Sequence, residues 1–282
     1  MEDAKFATGL PTLDDLLGGG CPTGLLLVYG AEDTGKTCLG LSILKECSEP
    51  TGVVDLQSTM DPKFVAAIDQ NILYTKPTTA EAGVEAASSM IRHGVKVVLL
   101  DTVDAMTPVT ELNTFAGERE TNAHKRLVYH SAYALYEVAK YHNALVILTA
   151  QVRSGLSRAK PRAMLLDQLI GMPCTMLGLR CESTRAEYGI NTNSTIQITL
   201  AHSSFVPPGA SCRVILERGV GFNSALELFK YMRDQDLLDD VNKLLPENMQ
   251  IKNSPAGKER VRSNYREITE LVSRVKESNG KA

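Results

Sequence analysis

Residues 25–37 read LLLVYGAEDTGKT, an apolar run of strand length followed by a loop with glycine at two positions. Residues 30–37 match the pattern G-x-x-x-x-G-K-[ST], and LGLSILKEC at 39–47 has helical spacing. Gly30 and Gly35 let the backbone wrap around a phosphate, and the N–H groups at the helix start face the anion. The alternative is a glycine-rich turn that binds nothing; the flanking strand and helix favour a phosphate-binding loop.

A nucleotide with its metal ion needs side chains as well as loop backbone. Lys36 is placed to reach the β and γ phosphates, and the Thr37 hydroxyl to hold Mg²⁺. Asp101 ends the apolar run VKVVLLD and can hold the metal through water, although an Asp there also fits an ordinary turn. The two motifs predict ATP and Mg²⁺ as ligands. The nucleotide-binding residues predicted from them are Gly30, Ala31, Glu32, Asp33, Thr34, Gly35, Lys36, Thr37 and Asp101.

Short apolar runs alternate with longer helical patterns from Leu25 to about Glu217, which predicts an α/β fold with a mostly parallel sheet covered by helices on both faces. Clear helical periodicity covers residues 79–93 and 118–141. No long helix separates the last three runs, so that edge of the sheet is expected to be antiparallel. The seven predicted strands are 25–29, 52–56, 95–101, 144–149, 175–181, 195–201 and 213–217.

The 282 residues suit one large domain with a small appendage. We predict a short amino-terminal segment at 1–24, an ATPase core at 25–221 and a small C-terminal helical region at 222–282. In that last region Tyr265, Ile268, Val272 and Val275 share a helical stripe that can dock on a partner such as a neighbouring subunit. Asn264 and Glu267 are spaced like a capping box at the start of that helix.

Composition limits the other functions. Lys and Arg total 30 against 33 Asp and Glu, a net charge of −3, so any DNA site must be local. No signal-like amino terminus and no apolar run long enough for a membrane span occurs, which predicts neither secretion nor membrane insertion. The 6 cysteines are scattered without metal-ligand spacing, as expected for reduced thiols of a cytoplasmic protein.

Four stretches, in order, resemble the core of the RecA/RadA recombinase family. They are FATGLPTLDDLLGGGCPTGLLLVYGAEDTGKT (6–37), GVVDLQSTMDPKF (52–64), LLDTVDAMTP (99–108) and NALVILTAQVR (143–153). The resemblance covers about Phe6 to Phe229 and implies a RecA-like P-loop core. Four ordered matches are more specific than the phosphate loop alone.

The resemblance assigns roles to three further residues. Gln151, at the end of its strand, corresponds to the residue that senses the γ-phosphate and relays its presence to the following loop. Asp61 and Phe64 correspond to residues that flank the adenine, with Phe64 in place of a usual tyrosine; an aromatic ring still stacks on the base. A strand-end hydrogen bond for Gln151 and core packing for Phe64 are the simpler alternatives.

Two stretches match the family's DNA-contacting loops by position, roughly 109–117 and 154–170. Around the second, Arg153, Arg158, Lys160 and Arg162 occur with no Asp or Glu between residues 151 and 166. Such a cationic loop suits DNA phosphates, and phosphate contacts carry no sequence information. The expected ligand is single-stranded DNA of any sequence, and the alternative is a solvated surface loop.

The sequence departs from the family at three places. Gln57 stands where the family has the glutamate that activates the attacking water; an amide can orient water but cannot take up a proton, so hydrolysis is expected to be slow. Leu200, Ala201 and His202 stand where bacterial RecA proteins carry a lysine pair. The family's amino-terminal interface segment is nearly missing.

Together these features predict an ATP-binding recombinase that assembles on single-stranded DNA and promotes homologous pairing and strand exchange in recombination and repair. Self-association into a filament, recombination partner proteins and a cytoplasmic location, in a bacterium or a phage-infected host, belong to this prediction. An alternative is a hydrolysis-deficient accessory or structural protein that binds nucleotide and modulates a partner filament. A hexameric, ring-forming relative is the third possibility.

Overall fold

The computed structural model describes residues 4–109, 123–153, 162–163, 172–187, 190–246 and 249–279. All seven predicted strands are present, together with short strands that the apolar pattern did not reveal. The strands are β1 (Lys5–Phe6), β2 (Cys21–Pro22), β3 (Gly24–Gly30), β4 (Thr51–Asp55), β5 (Leu73–Thr75), β6 (Val97–Asp101), β7 (Leu145–Arg153), β8 (Arg162–Ala163), β9 (Cys174–Glu187), β10 (Ile190–His202), β11 (Ser211–Glu217) and β12 (Gly221–Phe222).

The main sheet has the strand order β12-β11-β10-β9-β3-β7-β6-β4-β5, and β8 pairs with β7. Every pairing from β9 through β3 to β5 is parallel, and every pairing from β9 outward to β12 is antiparallel. The predicted α/β class with an antiparallel edge is confirmed. The change of direction occurs at β9, which is parallel to β3 and antiparallel to β10.

Side chains of β3 alternate between the two faces of the sheet, as strand geometry requires. Leu26 and Val28 join a cluster on the face covered by α2 (Lys36–Glu46). Leu25 and Leu27 join the cluster on the opposite face, under α4 (Ala80–Arg92) and α5 (Ala123–Tyr141). Burial on both faces explains why the parallel strands read as continuous apolar runs. The remaining helices before residue 222 are α1 (Pro11–Leu16) and α3 (Pro62–Ile68).

The two predicted long helices are present where the structure describes them. The Thr79 hydroxyl accepts a hydrogen bond from the Ala82 N–H at 3.1 Å and caps α4. After α4, Gly94 takes φ 96°, a left-handed conformation that ends the helix. Helix α5 is described from Ala123, so the predicted residues 118–122 lie outside the described part.

The C-terminal helical region contains α6 (Ser224–Asp234), α7 (Leu238–Leu244), α8 (Pro255–Ser263) and α9 (Tyr265–Ser278). These helices bury a third apolar cluster of their own, centred on the fully buried Phe229. The stripe Ile268, Val272 and Val275 faces this cluster, so α9 docks on its own chain. Domain boundaries near 24 and 222 stay predictions.

The predicted capping box of α9 is wrong. The Asn264 side chain gives no cap to α9; its amide instead donates to the Arg260 carbonyl of the preceding helix at 3.0 Å. Because α8 ends at Ser263 directly before α9, the last turn of α8 competes for the same side chain. Across the ranges that the structure describes, no helix combines the length and apolarity that crossing a bilayer requires.

Candidate functional site

The phosphate loop lies between β3 and α2, at the carboxyl end of the parallel strands. A Cβ atom at Gly30 would lie 2.5 Å from the Leu179 carbonyl oxygen, so only glycine fits there. Gly35 takes φ 84° and precedes α2, which has no side-chain cap. The N–H groups of the first turn of α2 are therefore available to an anion.

Polar side chains organise the inside of this loop. The Thr34 hydroxyl donates to the Ala31 carbonyl at 2.8 Å, and the Lys36 ammonium donates to the same carbonyl at 2.7 Å. Burial lowers the pKa of Lys36, and the negative charges of Asp101, Asp104, Asp33 and Glu32 act in the opposite direction. The loop thus holds a partly desolvated cation above its backbone N–H groups, which suits a phosphate.

Asp101 and Thr37 meet at the start of α2, although 64 positions separate them in the chain. The Thr37 hydroxyl donates to Asp101 Oδ2 at 2.7 Å, and the Thr149 hydroxyl donates to Asp101 Oδ1. Burial raises the pKa of Asp101, while these two hydrogen bonds lower it. A hydroxyl beside a carboxylate is a hard oxygen donor set, and Mg²⁺ keeps several waters in such sites. Among the residues that the structure describes, no cluster of three His, Cys, Asp or Glu offers another metal site.

A cavity of about 600 Å³ opens beside the loop. Lys36 and Thr37 line one part of it, and Phe64 and the turn from Glu217 to Phe222 line another. Phe64 is 49% exposed, so its ring is not taken up by core packing. Asp61 caps α3, accepting from the Lys63 N–H at 2.9 Å, and its place beside an adenine stays a prediction.

The turn from Glu217 to Phe222 was missed by the sequence reasoning. It joins β11 to β12 and reaches the cavity from the antiparallel edge of the sheet, with Val220 64% exposed. The only sequence signal is the pair Gly219 and Gly221, both with positive φ in the structure. A glycine-rich turn after a strand is common, so the pattern alone did not point to a ligand.

Gln151 lies next to the phosphate loop, because it pairs with Gly30 across β7 and β3. Its backbone N–H donates to Asp104 Oδ2 at 2.5 Å. The nearby Thr102 hydroxyl donates to the Thr149 carbonyl at 2.7 Å, which ties the end of β6 to β7. Asp104 was not among the predicted site residues, since no sequence pattern relates it to Gln151.

Gln57 lies after β4 and is exposed. Asp55, two residues earlier, is fully buried and accepts from the Met60 N–H and the Tyr74 hydroxyl, both at 2.9 Å. Its other oxygen, Oδ1, has no hydrogen-bond partner. Burial and the Asp55 carboxylate raise the pKa of Tyr74, so the phenol keeps its proton. The Asp55 carboxylate is thereby held inside the protein, whereas Gln57, two residues later, is exposed.

The predicted DNA loops lie mostly outside the described residues. Of the first, Val109 is described, and its N–H donates to the two Glu81 carboxylate oxygens at 3.1 and 3.2 Å. Of the second, only Arg162 and Ala163 are described; as β8 they pair with Arg153 and Val152 of β7. Arg158, Lys160 and the side chains of Arg153 and Arg162 lie outside the described part.

Comparison with known proteins gives the family. Residues 2–161 match the RecA N-terminal domain. Protein RecA of Limosilactobacillus reuteri is 27% identical over 254 residues, which cover 85% of this chain and 69% of that protein. Protein RecA of Thioalkalivibrio sulfidiphilus is 35% identical over 157 residues, 52% of this chain and 46% of that protein.

The fold has its own counterpart among solved structures. The crystal structure of the RadB recombinase aligns with a TM-score of 0.56 at 19% identity, covering 75% of this chain and 96% of that chain. At this identity the likeness concerns the fold. The sequence match over more than half of the chain, placed on a sheet whose phosphate loop, Asp101 and Gln151 converge, shows that this chain belongs to the RecA family of recombinases.

Proposed function

We propose that this protein is an ATP-binding DNA recombinase that assembles on single-stranded DNA, promotes homologous pairing and strand exchange, and hydrolyses ATP slowly. A cytoplasmic place of action and self-association belong to the proposal, on the strength of the RecA relatives. The observation that carries it is the direct pairing of Gly30 with Gln151, because that pairing joins the nucleotide loop to the strand that leads into the cationic loop.

The cavity and loop together suit a nucleoside triphosphate. Lys36 and the N–H groups of the first turn of α2 offer positive charge for the phosphates. Thr37 and Asp101 would hold Mg²⁺, which neutralises charge on the phosphate oxygens. The exposed ring of Phe64 and the Val220 side chain line the same cavity and offer apolar surface to a base.

Nucleotide and DNA are coupled through β7 in this proposal. The strand runs beside β3 from Gly24 to Gly30 and then continues past the loop to Arg153, where β8 pairs with it. The short β7–β8 ladder therefore brackets the segment that carries Arg158 and Lys160. A movement of Gln151 is passed along the backbone through Val152 to Arg153, directly before that segment.

The cationic segment supplies the DNA contact. Arg153, Arg158, Lys160 and Arg162 occur without an acidic residue among them, although the whole chain has a net charge of −3. Neutralising phosphates with such residues releases counterions, so affinity should fall steeply as salt rises. The same contacts do not read bases, which fits single strands of any sequence.

Slow hydrolysis follows from Gln57. Its amide is exposed at the position of the family's catalytic glutamate, and it can orient a water but cannot accept the proton. Lys36 remains available to stabilise charge on the phosphates. ATP then acts mainly as an allosteric ligand that favours the DNA-binding state.

The test is single-stranded DNA binding titrated with ATP, with ADP and without nucleotide. ATP should tighten DNA binding, and Lys36→Ala should abolish that stimulation because the terminal phosphates lose their cation. Lys63→Ala, an exposed lysine at the start of α3, is the matched control and should behave like the wild type. Full ATP stimulation in Lys36→Ala contradicts the coupling.

An accessory role without strand exchange is the second candidate, favoured by the exposed amide of Gln57. ATPase activity with and without single-stranded DNA, measured in the wild type and in Gln57→Glu, separates the two. A robust wild-type rate argues against the accessory role, and a rate that appears only in Gln57→Glu supports it. Electron microscopy that shows rings in place of helical filaments favours the third possibility, a hexameric relative.

A further inference from the structure

Asp104 occupies a position between the nucleotide loop and β7. It lies in a short 3₁₀ turn, Val103–Ala105, directly after β6, and is half-buried. One of its oxygens, Oδ2, accepts from the Gln151 N–H at 2.5 Å and lies 3.2 Å from the Thr102 hydroxyl oxygen, whose proton goes to the Thr149 carbonyl. The carboxylate therefore fixes the backbone of the predicted γ-phosphate sensor.

The Asp104 carboxylate also acts electrostatically on Lys36, which lines the cavity. Lys36 is partly desolvated, and Asp101 and then Asp104 contribute most to offsetting that burial. The Asp101 carboxylate accepts hydrogen bonds from the Thr37 and Thr149 hydroxyls, which stabilise its charge in place. Asp104 thus places a negative charge that acts on the phosphate-binding lysine and also anchors the end of β7.

We infer that Asp104 is a positioning residue that makes the hold on Gln151 depend on the charge of the bound nucleotide. The inference rests on the proposed function, because it concerns how that function is switched. A terminal phosphate competes with Asp104 for Lys36 and brings like charge toward the carboxylate. The repulsion weakens the hydrogen bond to the Gln151 N–H and frees the strand end that leads to β8 and the cationic segment.

This arrangement gives the diphosphate and the triphosphate different effects through one residue. A ligand shifts an equilibrium only by its differential affinity for the two states. ADP lacks the phosphate that would oppose Asp104 most closely, so it leaves Gln151 held. ATP is penalised by the same repulsion, and that penalty is the energy that drives the change at Gln151.

Asp104→Asn tests the inference, since the amide oxygen keeps an acceptor for the Gln151 N–H and removes only the charge. Calorimetry without DNA should show ATP affinity rising relative to ADP affinity by about two- to fivefold, the size measured for solvent-screened charge pairs. DNA titrations should show that the ATP-induced gain in DNA affinity falls by a factor of similar size, because the released penalty is the energy that drove the coupling. By reciprocity, the DNA-induced gain in ATP affinity must fall by the same factor.

Glu81→Gln is the matched control. Glu81 also accepts from a backbone N–H at the start of a predicted DNA loop, that of Val109, but Asp104 acts more strongly than Glu81 on the charge of Lys36. It should leave both the ATP to ADP ratio and the DNA coupling unchanged. Asp104→Ser removes the same charge with a smaller side chain. It serves as the second test variant if the amide of Asp104→Asn disturbs folding, and the same changes in affinity are expected.

The outcomes separate this inference from the function on which it rests. If DNA binding by the wild type does not respond to ATP, the proposed function is overturned. The ratio of ATP affinity to ADP affinity in Asp104→Asn then tests the inference by itself. Wild-type coupling that persists unchanged in Asp104→Asn and Asp104→Ser, with an unchanged ATP to ADP ratio, overturns the role of Asp104 and leaves the proposed function intact. Equal effects from Glu81→Gln also overturn it, because they point to loss of any loop anchor.

Discussion

Two phenylalanines show how the nucleotide end of the sheet differs from the C-terminal helical region. Phe229 in α6 is 0% exposed at the centre of its apolar cluster, whereas Phe64 in α3 is 49% exposed and faces the cavity. The helix starts differ in the same way. Asn223 and Ser254 cap α6 and α8, while α2 begins after Gly35 without a side-chain cap.

The difference shows which groups of each region have partners within the protein and which are open to a ligand. Helix α6, which carries Phe229, has a side-chain cap on a first-turn N–H group and buries its apolar side chains, and both features favour stability. At the phosphate-loop end of the sheet, the first-turn N–H groups of α2 have no side-chain cap and the Phe64 ring is half exposed, so a ligand can contact both. Substitutions in the first region should therefore change stability, and those in the second should change binding.

Phe229→Ala should have the largest effect. Removing a fully buried ring costs about 3–5 kcal/mol of unfolding free energy. Urea unfolding measures the loss, and Leu244→Ala, 53% exposed in the same region, should lose far less. A loss for Phe229→Ala no larger than that of Leu244→Ala would show that the C-terminal cluster is not a stabilising core.

Asp14 in α1 sharpens the comparison through pH. Burial raises its pKa from 3.8 to about 6, and the Thr8 N–H hydrogen bond opposes this. The folded state therefore binds a proton that the unfolded state does not bind between about pH 6 and pH 4, so this group stabilises the fold as pH falls through that window. The contribution is up to about 3 kcal/mol, less where water reaches the partly exposed side chain.

Asp14→Asn keeps an acceptor for the Thr8 N–H and removes the titration. The variant should be more stable than the wild type at pH 7 to 8 and approach it near pH 4, as measured by urea midpoints across that range. Because the two proteins share all their other carboxyl groups, the titration of those groups cancels in the difference between the two urea midpoints. A difference that stays constant with pH would contradict the assignment.

Phe64→Ala tests the opposite side of the comparison. Losing a base-stacking ring costs about 1–3 kcal/mol of binding free energy, while an exposed side chain contributes little to folding. Nucleotide affinity by calorimetry should fall, and the urea midpoint should stay near that of the wild type. Phe205→Ala, 61% exposed and not part of the cavity wall, should change neither. A large stability loss in Phe64→Ala would favour simple packing for this ring.

Tyr231→Phe should have the smallest effect. The Tyr231 hydroxyl of α6 donates to Asp15 of α1 at 2.5 Å, and the Lys276 ammonium bonds the same carboxylate. A buried hydrogen bond to a charged group is worth about 1.5–3 kcal/mol, but the Asp15 carboxylate is partly exposed and keeps the Lys276 ammonium, so the loss should be about 1.5 kcal/mol or less. The reference is Tyr141→Phe, since Tyr141 is 84% exposed. Nucleotide affinity should be equal in both variants, and a change in Tyr231→Phe alone would link the C-terminal helices to the nucleotide site.

Sequence reasoning worked best where a pattern has one physical cause. Apolar runs located seven strands, and the parallel ones among them are buried on both faces and so carry mostly apolar residues. It missed β5, Leu73–Thr75, whose residues are exposed or half-buried and so carry no apolar run. It also ended β9 near 181, because the outer part of the β9–β10 hairpin, ESTRAE at 182–187, is polar.

The sequence by itself predicted the position of the loop between β3 and α2, since G-x-x-x-x-G-K-[ST] after a strand fixes where the chain turns and local backbone geometry requires both of its glycines. It also determined the fold class and the family. Only the tertiary structure decided that Asp104 holds the Gln151 N–H and that the β11–β12 turn lines the cavity. Such contacts join residues that are distant in the chain, and strand order and register, which no local pattern encodes, bring them together.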